Sequence, residues 1–353
     1  MTLPNNPKKS NQKSLDKNHK HNLGQFMTTN YDYILQNMSI PENIKTVIEP
    51  FTGNGDLLNF FDKTKYKVFC YDIEPKKDFI IKRDTIDNPP SYKDAFLITN
   101  PPYLARNKSK DKKLFDKYDV NDLYKCVVKN LLTNTPLGGI LIIPLNFWSS
   151  IRVADIELRK QFMEKYEIIL LNIFEETVFD DTTYTVCSFQ FKLRETDLTN
   201  LNITIYPSKK TLTITLSEDN NYIIGGSIYK LKTKGKYRIT RLTSKNKTKK
   251  NTNILVKCID DNINSQIMLS YQTGVIYVDD TPNQTARTYA TLIIEPVIDV
   301  KKQELLIEKF NNYLNEHRDK YHSLFLTNYR ESSRKRISFD LVYHIVEHIL
   351  DTF

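Results

Sequence analysis

The sequence predicts an α/β protein, with a sheet of mostly parallel strands joined to a smaller, mainly β region that ends in helices. Three observations predict it. Between residues about 22 and 195, short apolar runs alternate with helical stretches, the signature of strand-helix-strand units. Beyond about 200 the composition shifts to Thr, Tyr, Ile and Lys in period-two stretches. From about 300 onward apolar residues recur three and four apart, as on one face of a helix.

Taken in order, residues 1–20 carry five lysines against one acid and almost nothing apolar. Such a segment cannot offset the entropy of ordering, so a basic disordered tail is expected, able to graze a polyanion. Strands are expected at TVIEP, KVFCYDIEP, AFLITNPP, GGILIIPLNFW, EIILLNIFEE and TVCSFQFKL, with a helix at LYKCVVKNLL. A boundary in RETDLTN closes this domain, giving units 21–198 and 199–353. The second unit opens with the strand-like runs LNITIYP, TLTITLS and YIIGGSIYKLK. It closes with helices at KKQELLIEKFNNYLNEHRDKYHSLFL and SFDLVYHIVEHIL.

Composition narrows the function. Hydrophobic residues make up 40% of the 353, which excludes a wholly disordered chain. No run approaches the roughly 20 apolar residues of a membrane helix, and the N-terminus lacks an apolar leader. A cytoplasmic protein, or one inside a host cell if viral, is expected, without a membrane partner. Cys70, Cys126, Cys187 and Cys258 stand more than fifty residues apart with no CxxC pair, so neither a zinc knuckle nor a disulfide framework is expected. The 51 basic residues exceed the 42 acidic by nine, which favours a polyanionic partner.

In TVIEPFTGNGDLLNFF a strand ends at Glu49, Gly53 and Gly55 form a loop, and an apolar helix is expected to follow. Glycines let a backbone approach a ligand, and a helix N-terminus offers amide hydrogens. The third glycine of GxGxxG is missing, and there is no GKS or GKT. Asp72 ends the next strand nineteen residues after Gly53, the usual separation for an acid that accepts from ribose hydroxyls, with Glu74 as the competing acid. Asp84, in IKRDTI, is a third acid at the same sheet edge, within reach of an adenine amino group.

Directly after a further apolar strand come Asn100, Pro101, Pro102 and Tyr103. This NPPY, the glycine loop upstream, and the order of the segments resemble the S-adenosylmethionine-dependent amino-methyltransferases, above all the DNA N6-adenine methyltransferases of the γ arrangement. HNLGQFMTTNYDYILQNM resembles that family's G-Q-F-x-T-P segment, with Thr29 where proline is common. EPFTGNG resembles its acid-Pro-x-x-G-x-G, YDIEP its ribose strand, and VFDDTTY its late V-F segment. The resemblance covers about 21 to 195. It implies a seven-stranded Rossmann-like sheet with S-adenosylmethionine as cofactor. Thr28 and Glu49 would then lie at the methionine end, Asp72 on the ribose, Ile73 against the adenine, and Phe179 on one face of the target base, with Tyr184 as alternative. It also implies a double-stranded DNA substrate and a restriction-modification, phage or viral setting, with a restriction endonuclease as a genetic partner.

The NPPY chemistry follows from physical argument as well. An adenine amine is a poor nucleophile because its lone pair is delocalised into the ring. The Asn100 side-chain oxygen and the Pro101 carbonyl, held by a stiff Pro-Pro turn, could accept both amine hydrogens and favour a tetrahedral nitrogen. Tyr103 would stack on the base. No cysteine follows a proline, so the Pro-Cys nucleophile of carbon-5 cytosine enzymes is absent. A base in a duplex must be flipped out first.

Arg106, Lys108 and Lys110 follow NPPY in a charged loop, readable as a phosphate clamp or as a solvated face. Residues 230–250 contain ten basic residues and no acid, among them Lys234, Lys236, Arg238 and Arg241, a composition suited to phosphate contacts. Asn283, Gln284 and Arg287 are candidate base readers. Arg330, Arg334, Lys335 and Arg336 form a second basic cluster, readable as a DNA-facing turn or a helix cap. His344, Glu347 and His348 spell the H-x-x-E-H of inverted zinc peptidases, but no third ligand follows, and no metal site is expected. The expectation is a site-specific DNA adenine-N6 methyltransferase. The rivals are an NPPY enzyme acting on RNA or protein glutamine, and an idle DNA-binding homologue.

Overall fold

The computed structural model describes residues 27–179, 184–196, 199–247, 250–260, 266–280, 288–331 and 334–353. The basic tail and Asn283, Gln284 and Arg287 lie outside the described residues. The chain divides into two compact units: Met1–Phe147 with Arg152–Ser217, and Trp148–Ile151 with Glu218–Phe353.

The first unit is built on a nine-stranded sheet. Its strands are β1 (Thr46–Glu49), β2 (Lys67–Asp72), β3 (Ile81–Lys82), β4 (Phe96–Thr99), β5 (Gly138–Pro144), β6 (Tyr166–Phe174), β7 (Val186–Leu193), β8 (Thr199–Tyr206) and β9 (Lys210–Leu216), in the order β3-β2-β1-β4-β5-β7-β6-β8-β9. From β3 to β5 all neighbours run parallel, and β7 is antiparallel to both β5 and β6. Strands buried on both faces read as unbroken apolar runs, and β4 and β5 are buried at every position. The first seven strands in this order form the expected Rossmann-like sheet, and although β1 and β4 run parallel, the order in which the chain adds strands reverses between them, as in doubly wound sheets.

Three expectations need correction. LNITIYP and TLTITLS form strands, but β8 pairs parallel with β6 and β9 antiparallel with β8, so they extend the first unit's sheet. The division falls after Ser217, because alternation marks a strand without naming its neighbour. The helix expected after the glycine loop is a single 3-10 turn, Asp56–Asn59, followed by another at Lys63–Lys65. The Asp62 side chain starts that second turn by accepting from Thr64 N–H at 3.0 Å. YIIGGSIYKLK forms no strand. Its glycines bring the backbone close to other chain: a Cβ on Gly225 would stand 2.5 Å from the Phe325 Cα, and one on Gly226 2.3 Å from the Tyr321 ring.

In the second unit, β10 (Arg238–Arg241), β11 (Ile254–Lys257), β13 (Met268–Tyr271) and β14 (Tyr289–Glu295) form an antiparallel sheet ordered β10-β14-β11-β13. A three-stranded sheet joins β12 (Ile259–Asp260), β16 (Arg334–Arg336) and β15 (Thr327–Glu331). The expected helices are present at Val300–Tyr321 and Phe339–Leu350, capped by the side chains of Asp299 and Ser338. Their apolar stripes share a core with the sheet, including Val256, Leu292, Leu306, Phe310, Val342 and Ile345. Each such burial is worth about 1.5–3 kcal/mol. Among the described residues, no helix is long and apolar enough to cross a membrane.

Candidate active site

β1 lies between β2 and β4, with Val47 opposite Phe96 and Ile48 opposite Leu97, so the residues leaving these parallel strands emerge at one edge. Glu49 ends β1, Asp72 ends β2, and Asn100 follows β4 directly. In open α/β sheets this carboxyl edge, at the reversal of strand order, is where ligands bind.

The glycine loop is fixed from below. Thr52 N–H donates to the Tyr71 carbonyl at 2.8 Å, and Gly53 N–H donates to Asp72 Oδ2 at 2.8 Å. Gly53 has φ +54° and Gly55 φ +83°, in the left-handed region that disfavours side chains. A Cβ on Gly53 would meet nothing within 4 Å, so its conformation, with open space beside it, is what requires glycine. That space belongs to a solvent-open cleft lined by Met27, Thr28, Phe51, Gly53, Asn54 and Asn100. The cleft thus unites Thr28, Gly53 and Asn100, singled out in three distant segments.

Glu49 is 1% exposed. Its Oε1 accepts from Thr99 Oγ1 at 2.8 Å and from Phe51 N–H at 3.2 Å, while Oε2 is buried without a partner among the described residues. Burial pushes this carboxyl up to about 8. The Thr99 and Phe51 donors oppose the rise, and the nearby Asp72 charge adds to it. Asp72 is also buried, and its Oδ1 accepts from Glu74 N–H at 2.8 Å. The Glu74 side chain is 38% exposed and lies 3.8 Å from Lys76 Nζ. Between the two competing acids, Asp72 is the one tied to the loop. Ile73 presents an exposed apolar side chain beside it. Asp84 Oδ1 caps a turn, accepting from Ile86 and Asp87 N–H at 3.1 Å each. Asp72→Ala removes the anchor of Gly53 together with the carboxylate expected from the sequence to meet a ribose. It should weaken cofactor binding at least tenfold in a calorimetric titration, and an unchanged dissociation constant would return the ribose role to Glu74.

Asn100 is nearly buried, and its Nδ2 donates to Thr28 Oγ1 at 3.0 Å. Its Oδ1 meets the Tyr103 hydroxyl, which also lies 2.6 Å from the Ile142 carbonyl of β5. Tyr103 itself is 3% exposed and packs edge-on against Tyr124. The expected stacking ring therefore sits in the core, because its hydroxyl finds buried acceptors there, and it braces Asn100 from behind. A stacking role requires it to turn out of this socket. Phe179 is likewise buried, and Tyr184 is half-buried. Pro101 is buried and Pro102 half-buried.

Residues without a sequence signal complete the site. Thr99 reaches Glu49 across fifty residues of chain. Asp122 accepts from Leu104 N–H at 3.1 Å, tying the segment after NPPY to the start of the helix Leu123–Thr133; burial pushes its carboxyl up to about 6 against the pull of Lys125. Both contacts depend on strand and helix packing that no local pattern encodes.

The basic residues separate into engaged and exposed. Arg106 pairs with Asp116, whereas Lys108 and Lys110 are exposed. Arg241 is held between Asp279, at 3.4 Å, and the Phe339 ring, so it is bound into its own unit. Lys234 bonds to Asp351 through its backbone and side chain, and Lys236 lies over the Tyr237 ring. Arg238 is exposed on β10, and Arg334 and Arg336 lie on β16. The latter cluster forms a strand pair rather than a turn or cap. His344 Nε2 and His348 Nδ1 lie 2.6 and 2.8 Å from the carbonyls of Leu231 and Lys232.

No family model matches the chain, and no curated protein matches it. Matches among solved structures include a modification subunit assigned to a type I restriction enzyme of Vibrio vulnificus YJ016, with TM-score 0.42 and 10% identity over 60% of this chain and 55% of that one. A second is the type IIG restriction endonuclease BpuSI, with TM-score 0.38 and 12% identity over 70% and 37%. A third is a type I restriction-modification methyltransferase subunit of Streptococcus thermophilus, with TM-score 0.36 and 14% identity over 50% and 46%. The chain spans about half the length of the Vibrio and Streptococcus proteins.

Proposed function

We propose that this chain is a site-specific, S-adenosylmethionine-dependent methyltransferase acting on the exocyclic amine of adenine in double-stranded DNA. The observation that carries this reading is the meeting of Asn100, at the end of β4, with Thr28 and the Gly53 loop in one cleft. The residues suit the cofactor. A buried carboxyl oxygen of Glu49, without a partner among the described residues, matches an ammonium, Asp72 matches ribose hydroxyls, and exposed Ile73 offers an apolar face to adenine. When bound, the group supplies an electrophilic methyl on a sulfonium.

The chain's own residues do the rest. The Asn100 amide and the Pro101 carbonyl accept the amine hydrogens of the target and build negative potential where positive charge develops. Tyr103 and Thr28 hold that amide in place. No covalent intermediate is required, and all four cysteines are buried free thiols, with burial pushing Cys70 up to about 11. Exposed basic residues of 230–250 serve phosphate contacts, and a restriction-modification, phage or viral setting with a cognate endonuclease fits such an enzyme.

The test incubates tritiated S-adenosylmethionine with duplex DNA, single-stranded DNA, RNA and a protein extract, followed by nucleoside analysis. N6-methyladenine in duplex DNA is the expected product. Label confined to RNA or to protein glutamine would move the substrate and overturn the DNA reading.

A further inference from the structure

The segment that carries Thr28 continues into a one-turn helix, Tyr31–Ile34, and is then stitched to the far side of the sheet. Ser188 Oγ donates to the Ile34 carbonyl at 2.5 Å, Asn172 Nδ2 to the Gln36 carbonyl at 2.9 Å, and Gln190 Nε2 to the Ser39 carbonyl at 2.9 Å. β6 and β7 thereby hold residues 34–39 by their side chains. The Tyr33 ring packs against Phe174 and Tyr206, with centroids 5.6 and 5.4 Å away, and its hydroxyl donates to Glu176 Oε1. Burial and the Glu176 carboxylate keep the phenol protonated well above its ordinary range, so it stays a donor.

Glu176 occupies a particular place. β6 ends at Phe174, and the Glu175 N–H is still fixed, donating to the Tyr206 carbonyl at 2.9 Å. Glu176 is the next residue, three before Phe179. Tyr33 lies five residues after Thr28, which lines the cleft and bonds to Asn100. One hydrogen bond therefore joins the root of the cofactor segment to the root of the Phe179 segment, across 143 residues of sequence.

We infer that the Tyr33–Glu176 hydrogen bond couples cofactor occupancy of the cleft to the placement of the Phe179 segment, with Tyr33 as a positioning residue. This rests on the cofactor reading above. Contacts to Thr28 order the chain entering the Tyr31–Ile34 helix, and the bond passes that restraint to residues 176–179, so that binding at one place favours order at the other, and by linkage the reverse.

The test uses the whole chain, S-adenosylhomocysteine as probe, and hydrogen exchange of the backbone amides. In the wild type the probe should slow exchange at 176–179 about tenfold. In Tyr33→Phe, which keeps the ring among Phe174 and Tyr206, the probe should still bind, with affinity lowered by no more than the roughly tenfold that linkage allows, but slow exchange there less than about twofold, the loss expected for one hydrogen bond to a charged group. Glu176→Gln retains an acceptor and should keep most of the coupling, whereas Glu176→Ala should lose it. A purely structural role would lower the melting temperature without separating these variants in their response to the probe. Equal slowing in wild type and Tyr33→Phe, or none in the wild type with the probe bound, overturns the inference. Failure of the probe to bind the wild type at all overturns the cofactor reading itself.

Discussion

Asn100→Ala is expected to lower methyl transfer by at least 100-fold, about 2.7 kcal/mol or more in barrier, while cofactor affinity changes less than threefold. The separation follows from where the amide sits. Asn100 Nδ2 donates to Thr28 in the cleft, whereas its Oδ1, which also accepts from Tyr103, is the acceptor for the target amine in the proposed reaction. The fold should tolerate the change, since the Tyr103 hydroxyl keeps the Ile142 carbonyl as a partner. A melting temperature within a few degrees of wild type, measured with single-turnover kinetics on the same preparation, checks both halves. A rate within tenfold of wild type would remove NPPY from the mechanism.

Glu49→Gln should move stability and binding in opposite directions. A carboxyl pushed up to about 8 by burial is protonated more readily in the folded chain than in the unfolded one, whose value is near 4.5. Its burial therefore costs stability progressively as pH rises from about 4.5 to about 8, and the cost is constant above that. A neutral glutamine escapes it. The variant should melt at least 3 °C higher at about pH 8 and within about 1 °C of wild type at pH 5, since each pH unit in the window corresponds to at most about 1.4 kcal/mol. Cofactor binding should weaken at least tenfold, because the proposed counter-charge for the ammonium is gone. In the wild type, binding should release a proton and tighten as pH rises toward 8. A variant that binds as tightly as wild type would place the ammonium elsewhere; one less stable at pH 8 would make the carboxylate structural.

The legible parts of this molecule were those in which chemistry is local. TVIEP, KVFCYDIEP, AFLITNPP and GGILIIP became β1, β2, β4 and β5, and the last two read as unbroken apolar runs because they are buried at every position. The loop glycines and Asp72 were legible from turn chemistry and spacing, and the Gly53–Asp72 hydrogen bond follows from both. Tyr103 was not. Its neighbours in sequence suggest a ring at a loop, yet its partner, the Ile142 carbonyl, stands thirty-nine residues away on an adjacent strand. Arg241 was grouped with its basic neighbours by composition, while Asp279 and Phe339 claim it through folding. Pairing of β8 with β6 was hidden for the same reason: alternation reports a pleat and leaves its neighbour open.

That pairing has a practical consequence for anyone who cuts the gene. A fragment ending at residue 198 would strip β8 from β6 and leave Tyr166–Phe174, nine residues of YEIILLNIF without proline, as a bare edge. Exposed apolar edges of that length recruit other chains into intermolecular sheets. Carried on to Ser217, the same fragment ends instead on β9, whose outer border is spaced with threonine and headed by Lys210. Nineteen further residues would thus separate a fragment that ends on a threonine-spaced strand from one that ends on a bare apolar edge.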